Sequence, residues 1–319
     1  MIRTTKNGMI PGLALATALL AVVPSSKAQD WQAIEFPLTE DITGVCFTSV
    51  DTGFVVTKGG QLVYTYDAGR NWYSQQVTKG IPLEDVCFRN SDFGLVCGRN
   101  GVLLRTLDGG SYWEDKSLED TMKWLYDIEM IDDEHGLAIG ASSDRDKAFA
   151  GLMLRTTDSG RTWKGQEVIG VGYSELFCTP DRPICLLSFG RISCSADKGE
   201  TWEPTLTVDG KPGRALSLYG KAGIIGGYQG MCAYSRDSGK TWTSVTLSDQ
   251  YYFGAAQLIN DTVGYLGGAP MVILRTSDGG RTWEPEETPL KFHILDFCLV
   301  EGRLYAVGLG GGVLVKEVR

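Results

Sequence analysis

Four carboxylates stand at matching positions of a repeated sequence pattern and are the residues best suited to chemistry. Asp85, Asp127, Glu175 and Asp296 each precede an apolar residue at the start of a short strand-like run. Carboxylates gathered from several elements bind a cation or a polar ligand, or divide the roles of acid and base. Alternatively, each caps backbone N–H groups of a neighbouring element. The residue pattern favours this structural role but leaves both interpretations open.

Alignment of the seven repeats gives columns of equivalent residues, and these columns predict which side chains point into the channel. The column of the carboxylates comprises Gly44, Asp85, Asp127, Glu175, Ala215, Ala255 and Asp296. The column two residues later comprises Cys46, Cys87, Glu129, Phe177, Ser217, Gln257 and Cys298. Residues i and i+2 share one face of a strand, and the residue between them is apolar in every repeat. The pattern therefore predicts carboxylates near one mouth of a channel and an apolar column packed between blades.

The element that positions these columns is a turn of the form Asp-x-Gly-x-x-Trp. It occurs six times, at a period of about 40 residues. Its aspartates are Asp67, Asp108, Asp158, Asp197, Asp237 and Asp278. In such a turn the aspartate accepts backbone N–H bonds, the glycine adopts a positive φ, and the tryptophan buries a large ring. We therefore interpret these Asp-box aspartates as structural.

Each repeat contains four short strand-like runs, which is typical of a propeller blade. The six boxes define six blades, and residues 294–315 form one further unit of three runs without a box. The run that begins at Trp31, residues 31–36, supplies the missing outer strand. The sequence thus predicts an all-β, seven-bladed β-propeller with four-stranded antiparallel blades, closed by its N-terminal strand, as one domain over residues 29–319.

Residues 1–28 have the organisation of a signal peptide. Arg3 and Lys6 precede an apolar run over residues 9–23, and residues 26–28 offer a cleavage site after Ala28. We therefore expect an exported protein, soluble in the periplasm or outside the cell. The full chain has a formal net charge of −9, and the leader contains basic but no acidic residues. An anionic surface argues against nucleic acid as a partner.

Eight cysteines in an exported chain suggest disulfides. Cys185 and Cys194 are symmetric about a turn and are candidates for a cross-hairpin bond. Cys178 competes for Cys185, and Cys87 with Cys97 is a similar cross-strand candidate. Buried free thiols are the alternative for each pair.

The repeat resembles the photosystem II stability and assembly factor family, most clearly at residues 104–110 and 274–280. This resemblance implies a lumenal, non-enzymatic chaperone that holds a reaction-centre precursor through an arginine-rich patch. At the corresponding repeat positions stand Arg105, Arg155 and Arg275, which we predict along the third strand of their blades. Sialidases, oligoxyloglucan-processing glycosidases and the sortilin ectodomain are also Asp-box propellers, so the motif specifies architecture more than function.

The residues expected of enzymatic relatives are mostly missing from the sequence. Residues 88–91 are the nearest match to the Phe-Arg-Ile-Pro string of sialidases, but lack its Ile-Pro. A single propeller lacks the cleft that two tandem propellers form in the oligoxyloglucan enzymes. His135 and His293 are too few and too scattered for a histidine metal site. We therefore predict a non-enzyme with no cofactor and no metal.

The expected interaction surface is the face that carries the blade-joining segments, where the repeat is least regular. An insertion at residues 141–148 lengthens the third unit. The candidate partner-binding residues are Trp124, Tyr126, Arg145, Lys147, Tyr173, Arg214, Tyr251 and Tyr252. Exposed aromatic and arginine side chains are typical of protein interfaces. We expect a monomer that binds another protein or a membrane-protein complex, with a glycan-binding or glycan-cleaving propeller as the alternative.

Overall fold

The computed structural model describes residues 30–142, 150–169, 172–178, 183–188, 191–207 and 212–318. Within these residues the strands form seven four-stranded antiparallel sheets. The prediction of an all-β, seven-bladed propeller is therefore confirmed. The leader, residues 1–28, lies outside the described residues, as does most of the insertion in the third unit.

Each blade runs in chain order from an innermost strand at the central channel to an outermost strand at the rim. The first strand of the chain is β1 (Gln32–Ala33), which belongs to the last blade. Blade one comprises β2 (Ile42–Phe47), β3 (Gly53–Thr57), β4 (Gln61–Thr65) and β5 (Tyr73–Gln76). Blade two comprises β6 (Leu83–Phe88), β7 (Gly94–Gly98), β8 (Leu103–Thr106) and β9 (Glu114–Asp115). Blade three comprises β10 (Lys123–Met130), β11 (Gly136–Ser142), β12 (Ala150–Thr156) and β13 (Lys164–Ile169).

The second half of the ring repeats this arrangement. Blade four comprises β14 (Glu175–Phe177), β15 (Ile184–Ser188), β16 (Arg191–Ser195) and β17 (Glu203–Thr207). Blade five comprises β18 (Gly213–Tyr219), β19 (Ala222–Gly227), β20 (Met231–Ser235) and β21 (Thr243–Thr246). Blade six comprises β22 (Tyr252–Leu258), β23 (Gly264–Ala269), β24 (Val272–Thr276) and β25 (Glu284–Pro285). The C-terminal strands of blade seven are β26 (Ile294–Val300), β27 (Arg303–Gly308) and β28 (Val313–Glu317).

The N-terminal strand closes the ring, as predicted. β1 pairs antiparallel with β28, opposite Val315 and Leu314. The Trp31 side chain is 4% exposed and meets the Tyr265 ring edge-on at 5.9 Å. The paired segment is shorter than the predicted run because Phe36 turns toward blade one and packs on the Trp72 ring at 5.3 Å.

The hydrophobic core lies in the seams between neighbouring blades. The inner faces of blades one and two, for example, bury Phe54 and Phe88, whose rings stack at 3.6 Å. Phe47 and Tyr305 stack in the same way, at 3.7 Å, across the seam between blades one and seven. Every blade has two such apolar faces, so only a closed ring covers them all.

Hydrogen bonds within each Asp box fix the turn. In blade three, Asp158 accepts the N–H of Thr162 at 2.9 Å and the hydroxyl of Thr156 at 2.8 Å. Thr156 in turn accepts the N–H of Gly160, whose φ of +74° is the region that glycine adopts without a steric penalty. The corresponding bonds occur in the other five boxes. The box is therefore a local turn in which the aspartate is fully occupied.

The two faces of the ring differ in the kind of loop that they carry. Box turns bond to the turns that join first and second strands, as between the Ala68 N–H and the Asp51 carbonyl, 2.9 Å apart. We call this side the box face. On the opposite side, the loops between second and third strands bond to the blade-joining segments, as between the Gly101 N–H and the Lys123 carbonyl, 2.8 Å apart. We call this side the joining face.

One of the predicted disulfides is present and another is not. Cys185 and Cys194 lie opposite each other on β15 and β16 and are bonded. Cys178 is a free thiol. Cys87 and Cys97 are also free, because the register places Asp85 opposite Cys97 and Leu95 opposite Cys87. The turn between β6 and β7 sets that register, because Phe88 pairs with Gly94 directly beside it.

Candidate functional site: the central channel and its mouth on the joining face

The innermost strands enclose a central cavity of about 500 Å³. Six acidic residues are among those that line it: Glu84, Asp85, Asp127, Glu129, Glu175 and Asp296. Of the described lining residues, only Arg214 is basic. The four carboxylates predicted at a channel mouth therefore do share one cavity.

The carboxylates hold neighbouring blades together. Asp85 accepts the N–H of Ile128 at 2.9 Å, and Asp127 accepts the N–H of Leu176 at 2.6 Å. The ring is completed in the same way where Asp296 of blade seven accepts the N–H of Val45 at 3.0 Å. An innermost strand is the edge of its sheet, so alternate N–H groups have no strand partner. The preceding blade supplies the missing acceptor.

The second column follows the same rule with weaker acceptors. The Cys46 sulfur accepts the N–H of Phe88 at 3.2 Å, and the Cys298 sulfur accepts the N–H of Phe47 at 3.3 Å. The Ser217 hydroxyl accepts the N–H of Leu258 at 2.9 Å. Cysteine, serine and aspartate thus perform one structural task along the channel wall.

A departure from the rule explains the remaining contacts of Asp296. The preceding blade has Ala255 in this column and offers no acceptor to the N–H of Phe297. Asp296 accepts that N–H with its second oxygen, at 2.7 Å. Asp85 does the same for the N–H of Val86, because blade one has Gly44 in the column. These two carboxylates therefore serve two blades each.

Enclosure in the channel changes the acidity of these groups. Burial, reinforced by the neighbouring carboxylates, raises the pKa of Asp127 well above its usual range. Burial likewise raises the pKa of Glu175 and Asp296. It raises the pKa of Glu129 to about 8, with Asp85 adding to the effect. Glu129 is therefore mostly protonated at neutral pH, and the channel carries less negative charge than its composition suggests.

A cluster of aromatic residues around Arg214 forms the mouth of the channel on the joining face. Arg214 donates hydrogen bonds to the Ser174 carbonyl and to Tyr252. The Tyr252 ring lies 4.8 Å from the ring of Tyr228, which is 48% exposed. Tyr126 lines the same cavity, and burial raises its pKa to about 12. The mouth thus offers phenol groups and one guanidinium to a ligand.

A second group of stacked side chains adjoins Tyr126. The Trp124 ring meets the Tyr126 ring edge-on at 5.4 Å. The guanidinium of Arg99 lies 4.1 Å from the centre of the Trp124 ring and forms an ion pair with Glu84 at 2.8 Å. Trp124 itself is half-buried and paired with Ala141 in the sheet. It is a wall of the mouth rather than a free loop residue.

The structure brings together four of the eight candidate partner-binding residues at or beside this mouth: Trp124, Tyr126, Arg214 and Tyr252. Tyr173 and Tyr251 instead pack against seam cores. Arg145 and Lys147 lie outside the described residues. Sequence reasoning missed Arg99 and Tyr228. Both follow the terminal glycine of a second strand, and aligning those loop positions would have revealed them.

The family-like arginines do not form a patch. Arg105, Arg155 and Arg275 lie on the third strands of their blades, as predicted. The Arg105 Nε donates to the Ser159 carbonyl at 2.7 Å, and the Arg155 Nε donates to the Lys198 carbonyl at 3.0 Å. Both acceptors belong to the Asp box of the following blade. Arg105 and Arg155 therefore join blades at the box face, and Arg275 lies 3.9 Å from Glu286.

The described residues contain neither a metal-binding cluster nor a membrane-spanning helix. No group of three His, Cys, Asp or Glu side chains is arranged there to hold a metal ion. His135 is occupied by Asp132, 2.9 Å from its Nδ1. No helix within the described ranges is long and apolar enough to cross a membrane.

Comparison with known proteins agrees with this architecture. The family model of the photosynthesis system II assembly factor YCF48 matches residues 23–120 and 77–168. No protein of curated function matches the chain. A structure of YCF48 bound to D1 peptide has a TM-score of 0.73 at 20% identity, over 91% of this chain and 95% of that one.

Two further structures show how widely the fold is shared. YCF48 from Cyanidioschyzon merolae has a TM-score of 0.71 at 14% identity, over 90% of this chain and 99% of that one. A streptogramin B lyase reaches 0.74 at 10% identity, over 91% of this chain and 99% of that one. At such identities the structural likeness establishes the fold alone. The chain is therefore a seven-bladed β-propeller with six Asp boxes, and residues 23–168 match the model of the photosystem II assembly factor family.

Proposed function

We propose that this protein is an exported, non-catalytic propeller that binds a protein partner and assists its assembly or stability. The observation that carries the proposal is the match to the YCF48 assembly factor family. The related propeller that has been solved with a D1 peptide supports a protein ligand for this architecture.

The mouth on the joining face is the proposed binding surface. Tyrosine, tryptophan and arginine dominate the hot spots of protein interfaces. Here Tyr228 is half exposed at the rim, and Arg214 lies behind it within a ring of phenols. The aromatic rings are already packed against each other, so a partner pays little conformational entropy to meet them.

The hydrogen bonds of the channel carboxylates argue against catalysis. A general acid and base need free oxygens directed at a substrate. Asp85, Asp127 and Asp296 instead accept backbone N–H groups from the following blade. The acids of the channel are therefore assigned to blade cohesion.

Export is proposed from the leader together with the disulfide. The basic start, the apolar run and the small residues before Ala28 favour secretion. The bond between Cys185 and Cys194 suits an oxidising compartment. Cell fractionation of the tagged protein should place the mature chain outside the cytoplasm, beginning near Gln29.

The proposal is tested by quantitative capture from the native host. Tagged protein is expected to retain a specific envelope protein, identified by mass spectrometry, and to retain less of it after Arg214→Gln. The same preparation should not hydrolyse sialosides, xyloglucan or aryl glycosides. Turnover of any of these that disappears with Asp85→Asn or Asp127→Asn would replace the binding function with an enzymatic one.

A further inference from the structure

The outer strand of blade one has a free backbone edge. β5 pairs on one side with β4, and its other side ends the sheet. The Val77 N–H bonds to the Gly60 carbonyl, at the continuation of this pairing. Because bonding directions alternate along an antiparallel pair, the N–H groups of Ser74 and Gln76 point away from β4. Three of the four side chains of β5 are exposed.

The other outer strands carry features that discourage strand addition. β9 consists of two acidic residues, β25 of a glutamate and a proline, and β1 of only two residues. β17 contains a proline, and β13 contains charged residues. Charge, proline and shortness are the usual protection of a sheet edge. Within the described chain, only β5 and β21 lack all three.

Exposed tyrosines distinguish the β5 edge from β21. Tyr64 and Tyr73 face each other across the two outer strands, with ring centres 5.6 Å apart. Tyr66 stands 5.6 Å from Tyr64 on the other side. Tyr66 and Tyr73 are 51% and 54% exposed, and an exposed patch of adjoining aromatic rings is typical of an interaction site. At the position of Tyr73, blade five has Thr243.

The chain segment that contains this edge is locally basic, although the protein as a whole is acidic. The full chain has a net charge of −9, yet residues 68–82 contain two basic residues and no acidic one. These are Arg70 and Lys79, and both are exposed. Within the part of the chain that the structure describes, neither forms a salt bridge. The nearby Asp67 is occupied by Asn71.

We propose that β5 binds an extended, acidic segment of a protein partner as a fifth strand of blade one. The segment would exchange backbone hydrogen bonds with Ser74 and Gln76, lay its side chains on Tyr66 and Tyr73, and place its carboxylates near Lys79. Backbone pairing supplies affinity in this mode, and the neighbouring side chains supply selectivity. The inference rests on the proposed function as a protein-binding propeller, but uses a different surface.

The test uses a synthetic octapeptide of alternating valine and glutamate, blocked at both ends, and its valine–lysine counterpart. In calorimetric titrations of the purified protein, the acidic peptide should bind at least tenfold more tightly than the basic one. Hydrogen exchange at Ser74 and Gln76 should slow when the acidic peptide is bound. Ser74→Pro removes an outward N–H without breaking the pairing with β4, and should weaken binding at least tenfold.

Matched variants make the result specific. Thr246→Pro makes a comparable change on β21 and should leave binding unchanged. Lys79→Glu, an exposed change that should not disturb folding, should abolish the preference for the acidic peptide. Equal binding of both peptides, or unchanged affinity in folded Ser74→Pro, would overturn the inference. If the native partner is still captured by Ser74→Pro with wild-type affinity, this inference fails while the proposed function stands.

Discussion

The inner wall and the outer rim of this propeller use carboxylates for the same task in different surroundings. At the rim, Asp158 accepts N–H and hydroxyl groups of its own turn beside solvent, and the N–H of Thr162 leads the effects that lower its pKa to about 2. In the channel, Asp127 accepts the N–H of Leu176, yet burial and neighbouring carboxylates raise its pKa. The comparison shows that a perturbed acid at the centre of a ring need not be catalytic.

The two regions also differ in the range of their hydrogen bonds. An Asp box joins residues four positions apart in one turn, whereas a channel carboxylate joins residues of two blades. The rim therefore holds each blade in shape, and the inner wall holds the blades in order. Each region should respond to mutation in its own way.

The largest loss of stability is expected in blade seven, whose outermost strand is the N-terminal strand β1. Deleting residues 29–38 removes β1 and the buried Trp31 ring and leaves the edge of β28 unpaired. The truncated protein should aggregate, as shown by light scattering. Removal of residues 1–28 alone is the control and should leave a monomeric, folded protein. A monomeric truncation at residue 38 with an unchanged Tm would contradict ring closure by β1.

Within a single Asp box, the tryptophan side chain should contribute more to stability than the aspartate carboxylate. Trp163 packs against the core between blades two and three. Trp163→Ala should lower the free energy of unfolding by about 3–5 kcal/mol, the usual range for a large aromatic truncation in a core. Asp158→Ala should cost less, because solvent can satisfy the freed N–H groups. Denaturant titration of both variants decides the order.

The inner wall should give the protein a pH dependence opposite to that of the rim. Glu129 has a folded pKa of about 8, above its ordinary value of 4.5. The folded state therefore binds its proton more tightly, and stability should fall as the pH rises through this window. The box aspartates have lowered pKa values, so their contribution to stability is present at neutral pH. It should be lost as the pH drops below 4.

Glu129→Gln isolates the contribution of the inner wall. The variant should lose the part of the decline in stability between pH 5 and about 8 that Glu129 contributes, and should be more stable than the wild type above that range. Denaturant midpoints measured across the pH series provide the comparison. A decline as steep in Glu129→Gln as in the wild type would show that Glu129 ionises normally.

The sequence predicted the architecture well because the box repeats and has a local cause. A threonine or serine, an aspartate and a glycine within five residues determine the turn. The motif alone therefore located six blades, and counting located the seventh. The closure by β1 followed from an unpaired set of strands in blade seven. The placement of Arg105 and Arg155 on third strands followed from the same register.

The contacts between blades could not be predicted in the same way. That Asp296 serves both Val45 and Phe297 depends on the alanine at position 255, in the neighbouring blade. The cluster at the channel mouth depends on loops from separate blades that approach one another only when the ring closes. Such contacts depend on how two repeats are placed relative to each other, and the sequence of one repeat does not determine that placement.

The central claim is that the partner binds at the joining-face mouth of the channel. It is tested most directly by substitutions at the two ends of the channel, which should have the smallest effect on stability. Tyr228 at the joining-face mouth and Tyr219 at the opposite end are 48% and 46% exposed. Alanine at either position should leave the Tm nearly unchanged. The measurement is a calorimetric titration of the captured partner into the wild type and both variants. The account predicts that Tyr228→Ala weakens binding by about 2 kcal/mol, as loss of an aromatic hot spot does, while Tyr219→Ala binds like the wild type. Loss of binding in Tyr219→Ala with full binding in Tyr228→Ala would contradict it.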